Sequence, residues 1–281
     1  MRITQDKVFK TISLLFLLCI LIAAAVCCTV GSRESERYKA LLESSDYSTV
    51  LYFSAHQDDE TLEDFGGILQ DLRTGKEVHV VLCSDGSASG IYKLLLEEGH
   101  DLTMDEFTAL RDIEFTNALV SLGVPAKNVH IPDDRLQDGT FADEKDRLKA
   151  FVRYWVDQYP NAAVRTHSPK LGDVENHTDH TTLGDVCCEL QDEGVIKRLR
   201  LFVDKWHIEE YRAIKGLTLY KLPAYGKLIR DEADRLDGAK HAYSDIDIKE
   251  GRYGIGGRSV AGYWENLEQN PVSYFYDREA Q

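Results

Sequence analysis

Hydrophobic and polar positions follow two rhythms along this chain, preceded by one long apolar block. After a start carrying Arg2, Lys7 and Lys10, Thr11 to Val30 runs for twenty residues without a charge. About 20 residues of helix cross the hydrocarbon core of a bilayer. A basic start and an apolar core also suit a secretory signal peptide, but no small-x-small cleavage site follows, and the residues before Cys27 make a poor lipoprotein box. The block therefore reads as an uncleaved single-pass transmembrane helix at 11–30 behind a basic tail at 1–10. Arg33, Arg37 and Lys39 match the basic residues in front of it, and the terminal amine tips the orientation towards an inside N-terminus and a domain outside. Residues 31–48, charged and Ser-rich, read as a linker, and 49–281 as the globular domain.

Within that domain the first rhythm is the short apolar run. Val50–Phe53, Glu77–Cys83, Asn128–Ile131 and Ala162–Thr166 are β-branched and aromatic stretches of strand length. Between them runs the second rhythm, at helical spacing. Leu62, Phe65, Ile68, Leu69 and Leu72 recur every three or four residues from Thr61. Asp105–Leu122 repeats this with Phe107, Leu110, Ile113, Ala118 and Leu122, and Gly123 as its stop. Asp143–Tyr159 does so again, ended by Pro160, and Leu183, Val186 and Leu190 open another helix. Strands alternating with helices predict an α/β fold, Rossmann-like, with a mostly parallel sheet and helices on both faces. Lys93–His100 reads as a mobile insert. Past residue 200 the pattern weakens: Leu201–Val203 and Leu217–Leu222 read as strands, Ala224–Leu236 as helix, and a glycine-rich tail at Gly251–Gly257 is left unplaced.

Chemistry gathers where strands give way to helices. The first strand leads into His56-Gln57-Asp58-Asp59-Glu60, a histidine and three carboxylates at the sheet edge where ligands bind in open α/β folds. Those carboxylates also suit a plain helix N-terminus, whose dipole stabilises negative charge. The strand at 162–166 leads into His167-Ser168-Pro169 and then His177-Thr178-Asp179-His180, again just before a helix. Histidine from this second loop, with His56 and Asp59, makes a two-His, one-carboxylate set that leaves coordination positions open, the pattern of a catalytic metal. Asp85, Asp133 and Asp134 also lie at strand ends and take no assigned role; His167 reads as support for a metal ligand or as a satisfied loop histidine.

His56-Gln-Asp-Asp-Glu60 followed by His177-Thr-Asp-His180 resembles the LmbE-like, or PIG-L, family of zinc-dependent de-N-acetylases. That family carries Pro-His-Pro-Asp-Asp-Glu, then an Arg-x-x-Glu-x-x-x-Ala-x-x-x-Leu-Gly helix, then His-Pro-Asp-His. The middle motif reads here Arg111, Glu114, Ala118, Leu122, Gly123. Ala55, Gln57 and Thr178 stand where the family has prolines, which alters turn stiffness but removes no ligand. The resemblance implies that His56, Asp59 and His180 hold Zn2+, with Fe2+ or Mn2+ as possible occupants of the same donors. It implies Asp58 as general base, His177 as a protonated oxyanion donor steadied by Asp179, and Arg111 as a contact for a substrate hydroxyl or phosphate. A helix-face ion pair with Glu114 would account for Arg111 equally well. The implied reaction is hydrolysis of the N-acetyl group of an N-acetylglucosamine-type sugar in a glycolipid, glycan or small conjugate. Another amide, or a domain that binds metal or sugar without turnover, are the alternatives.

Composition narrows this. A formal charge of −15 over 281 residues argues against nucleic acid as a partner. Six scattered cysteines, three of them in the apolar block, make neither a disulfide framework nor a zinc finger. The first strand is followed by no G-x-G-x-x-G, which excludes a dinucleotide fold of the usual kind. Oligomeric state has no signature here.

Overall fold

β1 (Thr49–Ser54) is an interior strand, third of seven in the sheet, buried along nearly its whole length, as its apolar sequence requires. The computed structural model describes residues 47–174, 176–223 and 228–278. The tail read at 1–10, the anchor at 11–30 and all of the linker at 31–48 except its last two residues lie outside these. Among the described residues no helix is long and apolar enough to cross a membrane.

From β1 the chain passes through α1 (Asp59–Leu62) and α2 (Phe65–Arg73) to β2 (Glu77–Leu82). It continues through α3 (Ile91–Glu97) and α4 (Met104–Leu122) to β3 (Val129–His130). α5 (Lys145–Gln158), β4 (Ala163–His167), α6 (Thr178–Asp192) and β5 (Leu199–Val203) follow. The last part holds α7 (Ile208–Ala213), β6 (Tyr220–Leu222), α8 (Arg230–Ser244), a small hairpin of β7 (Ile246–Asp247) and β8 (Arg252–Tyr253), α9 (Ile255–Ser259), α10 (Ala261–Gln269) and β9 (Ser273–Arg278). The strand order is β3-β2-β1-β4-β5-β9-β6, parallel from β3 to β5, with β9 antiparallel to both β5 and β6. The expected α/β architecture is present, with the antiparallel pair added on one side. Winding reverses between β1 and β4, so their carboxyl ends open a crevice at the switch point.

Several elements differ from expectation for physical reasons. The helix expected from Thr61 is broken at Glu63-Asp64. There Glu63 caps the end of α1, and its carboxylate reaches His167 Nδ1 at 3.0 Å. Lys93–His100 is not a loose insert: α3 packs Ile91 and Leu95 against Phe107 and Ile255. α4 starts on a capping box between Thr103 and Glu106 and ends on Gly123 at φ 103°, a conformation glycine adopts freely. Its buried face is Phe107, Arg111, Glu114, Phe115, Ala118, Leu119 and Leu122. Ile113 is instead 54% exposed, because the site claims Arg111 and Glu114 for the interior. The helix expected at 224–236 begins at Arg230, and the unplaced glycine-rich stretch forms β8 and α9.

Candidate metal centre and its cleft

β1 delivers His56 and Asp59 on one tight turn. The His56 amide donates to Asp59 Oδ2 at 2.8 Å, closing it. Asp58 between them has φ 111°, the single positive φ among described non-glycine residues. Its carboxylate makes no cap on α1, so these acids do not serve as a mere helix cap. Glu60 turns inward instead, accepting from the Asp58 amide and from the Tyr243 hydroxyl. β4 ends at His167, and α6 begins just after His177, its N-cap, placing His180 in the first turn.

These two strand ends bring the predicted ligands together. His56 Nδ1 lies 3.2 Å from His180 Nε2. His180 Nε2 lies 3.2 Å from Asp59 Oδ1, and His56 Nδ1 3.4 Å from Asp59 Oδ2. Donors bound at about 2.0–2.1 Å around a tetrahedral zinc stand roughly 3.3 Å apart. The donor set and its spacing therefore fit a divalent cation. Three trios, His56/His177/His180, Asp59/His167/His180 and His56/Asp138/Asp179, each hold ligand atoms within 4.8 Å of one another.

The electrostatics suit the same conclusion. Burial works against charge on His56, but hydrogen bonds to Asp138, Asp179 and Asp59 outweigh it and raise its pKa. Burial opposes ionisation of Asp59 too, yet His180 and His167 hold it well below the usual carboxylate range. A bound cation would take the place of those protons. Asp58 is different: burial lifts it to about 7, against the pull of Arg111.

Asp179 is not placed as expected. Its carboxylate accepts from the Gly139 amide at 2.7 Å and the Phe141 amide at 3.2 Å, and Oδ2 faces His56 Nε2 at 3.3 Å. It therefore orients His56 rather than His177. His177 meets Asp179 through the backbone, its Nδ1 accepting the Asp179 amide at 3.3 Å. Burial and the charges of His56 and His180 lower its pKa, which favours a neutral ring with the proton on Nε2. Arg111 likewise makes no ion pair with Glu114, which accepts from the Ile255 and Gly256 amides. Its guanidinium donates to the carbonyls of Gln57 and Gly86, and stands 3.7 Å from Asp58 and 3.9 Å from Asp138.

All seven expected site residues except Asp179 line one cleft of about 540 Å³, and Asp179 braces it from behind. His167, read from the sequence as support for a metal ligand or as a satisfied loop histidine, is fully buried and bridges Asp59 and Glu63 at 3.3 and 3.0 Å, which fits the first of these. Other contributors were not anticipated. Asp138 faces His56 Nε2 at 3.2 Å from the loop after β3. Asp204, just past β5, and Tyr263, at the start of α10, also line the cleft. A carboxylate directly after the buried strand Leu201–Val203 was the available signal for Asp204; Tyr263 had none.

Residues 51–190 match the family model described as PIG-L: GlcNAc-PI de-N-acetylase. A 1D-myo-inositol 2-acetamido-2-deoxy-alpha-D-glucopyranoside deacetylase of Mycobacterium sp. (strain KMS) is 31% identical over 127 residues, 44% of this chain and 40% of the relative. The protein of that description from Mycolicibacterium smegmatis is 30% identical over 139 residues, 48% of this chain and 46% of the relative. The matches thus span less than half of these relatives. The N,N'-diacetylchitobiose deacetylase from Pyrococcus horikoshii shares the fold at a TM-score of 0.54 and 16% identity, covering 87% of this chain and 92% of that one. A zinc-inhibited form of teicoplanin deacetylase does so at 0.53 and 15%, covering 83% and 100%.

Proposed function

This chain belongs to the PIG-L family of GlcNAc-PI de-N-acetylases, and on that footing we propose that it is a metal-dependent amide hydrolase removing the N-acetyl group from an N-acetylglucosamine-type sugar. The observation that carries the reading is the triangle of His56, Asp59 and His180 donors with the Asp58 carboxylate beside it in the cleft. The relatives' names, deacetylases of acetamido sugars, support the substrate class.

A divalent cation held by His56, Asp59 and His180, zinc in the first instance, supplies Lewis acidity towards water and an amide carbonyl. The chain's own residues do the rest. Asp58, poised near neutrality, accepts a proton from the attacking water and returns it to the leaving amine. His177, with Nδ1 engaged by the Asp179 amide, presents Nε2–H towards the oxygen on which charge develops. Arg111 ties the Gln57–Asp58 turn to the loop at Gly86 and keeps Asp58 from rising further. Its place in the cleft also puts it within reach of a sugar hydroxyl. Acetate and a free amino sugar are the products.

The test joins metal content to turnover. The purified chain should hold close to one zinc, iron or manganese, and release acetate from N-acetylglucosaminides. Asp58→Asn should keep the metal and lose at least about a hundredfold in kcat, the usual scale for a general base. Parental turnover in Asp58→Asn would remove the base, and a chain that takes up no metal on reconstitution would sink the proposal.

A further inference from the structure

Between the metal ligand His56 and the base Asp58 stands Gln57, where the family motif has proline. It is fully buried and is not among the residues lining the cleft, so it reaches neither substrate nor the reacting atoms. It is nevertheless held at both ends. Its main-chain carbonyl accepts from Arg111 at 2.9 Å. Its side-chain nitrogen donates to the Asp85 carbonyl at 3.3 Å and to Asp112 Oδ1 at 2.9 Å. Both of these neighbours are acceptors, so the nitrogen of the carboxamide must face them. Oε1, buried too, meets no donor among the described residues. One end of the side chain is used and the other left unpaired, which stability alone would not select.

The anchors come from separate segments. Asp85 follows β2, and Asp112 lies on α4 beside Arg111. Asp112 Oδ2 accepts in turn from Arg135, in the loop after β3, at 2.7 Å. That pair is itself sheltered, with side chains 18% and 12% exposed, so water competes little for it. Gly86, at φ 69°, lets the loop after β2 close over the turn; a Cβ there would collide with Gln57 Oε1 and the Arg111 guanidinium.

The turn itself shows what this clamp is for. Asp58, at φ 111° and ψ −26°, is close to the third residue of a type II turn, whose second residue is a favoured place for proline. A proline ring would hold that second residue at φ near −65°. Glutamine has no such ring, so its backbone must be fixed from outside. Among the described residues the Gln57 N–H enters no hydrogen bond. The fixing falls to its carbonyl and its carboxamide.

Resting on the reading of this cleft as a deacetylase site, we propose that Gln57 is a positioning residue for the reaction. Its carboxamide, clamped by Asp85 and the Asp112–Arg135 pair, holds the turn that aims His56, Asp58 and Asp59 at one centre. Stiffness that a proline ring would give locally is supplied here by hydrogen bonds to α4 and to the loops after β2 and β3. Asp112 and Arg135 thereby become part of the support of the site.

The experiment uses the full chain reconstituted with zinc. Its variants are Gln57→Met, which keeps the length and loses the donor, Gln57→Pro, Asp112→Ala, and Gln57→Pro combined with Asp112→Ala. Chelator competition reads zinc affinity, and acetate release from N,N'-diacetylchitobiose reads kcat and KM. Gln57→Met should lower zinc affinity and kcat by about tenfold or more each, the scale for groups that orient metal ligands. KM should change by less than about twofold, because residue 57 does not meet the substrate. Gln57→Pro should recover most of both losses. Asp112→Ala should resemble Gln57→Met in the parent and cost little more in the Gln57→Pro background, a non-additivity that a general loss of stability does not produce. It removes the same hydrogen bond from the acceptor side, so it decides the matter if Gln57→Met does not fold. Parental zinc affinity and kcat in these variants, a loss confined to KM, a Gln57→Pro protein as impaired as Gln57→Met, or an equal cost of Asp112→Ala in both backgrounds would each overturn the proposal. Zinc affinities that follow the expected pattern, with no acetate released even by the parent, would uphold Gln57 as a positioning residue of the metal centre and sink the deacetylase reading instead.

Discussion

At the scale of single residues, Asp58 shows what the site asks of its backbone. A non-glycine residue at φ 111° sits where Cβ is crowded, at a cost of order 1–3 kcal/mol. Its carboxylate is also buried and held at about 7. Both are tolerated because the turn must aim His56 and Asp59 at one point. Asp58→Gly should therefore raise the stability of the metal-free protein by about 1 kcal/mol or more, seen as a higher urea midpoint, while abolishing turnover. Asp58→Asn keeps the Cβ and should leave the midpoint nearly unmoved. A lower midpoint in the glycine variant would show that the φ is relaxed rather than strained. This residue was legible as a base candidate from the His-x-Asp-Asp-Glu pattern. Its strain was not, since nothing local announces a positive φ at aspartate. His56, Asp59 and His180 were readable for the same reason as Asp58: each lies within a few residues of a strand-to-helix change. Asp138 and Glu63 reach the centre by tertiary contact, so spacing along the chain carried no trace of their roles, whereas His167, at the end of its strand, already carried the reading of support for a metal ligand that its 3.3 Å approach to Asp59 fits.

Elements then decide whether these residues meet. α6 carries His180 and packs across the end of β4, which carries His167; the two rings stack at 3.9 Å. Gly184 permits that approach. A Cβ there would lie 2.5 Å from the Pro169 nitrogen and 2.6 Å from the His167 carbonyl oxygen, backbone atoms with little freedom to yield. Helix propensity alone would make Gly184→Ala stabilising by about 1 kcal/mol. Overpacking opposes it by about 1–3 kcal/mol, and here the contact is backbone, so the clash should win. The expected outcome is a lower Tm together with weaker metal retention in a chelator competition, because α6 must move His180 outwards. A raised Tm with unchanged metal affinity would mean that the junction repacks freely. Most elements up to α6 were legible from hydrophobic period alone. In the last ninety residues the strands read at 201–203 and 217–222 meet β5 and β6, and the helix read at 224–236 meets the start of α8, whereas β9 was not legible, because it joins the sheet antiparallel between β5 and β6 and out of sequence order.

Across the whole molecule, global stability should respond to pH through buried groups that do not line the cleft. His79 and His130 stack on β2 and β3 with Nδ1 and Nε2 3.0 Å apart, so both cannot carry a proton at the shared contact. Burial, then the charge of His79, holds His130 down at about 4, and burial lowers His79 as well. An unfolded histidine titrates near 6.5, so the unfolded chain binds more protons between about 6.5 and 4. The contribution is present above that window and lost as pH falls through it. Two buried acids act with the opposite sign: burial lifts Glu60 to about 8 and Glu114 to about 7. Their contribution is full below the ordinary carboxylate range and is lost as pH rises through 7 and 8. The total slope mixes the two, so the informative quantity is a difference between variants. His130→Gln removes one titrating ring and should shift the change in urea midpoint from pH 7 to pH 5 in the stabilising direction relative to the parent protein. An identical slope in parent and variant would show that the pair does not couple to folding.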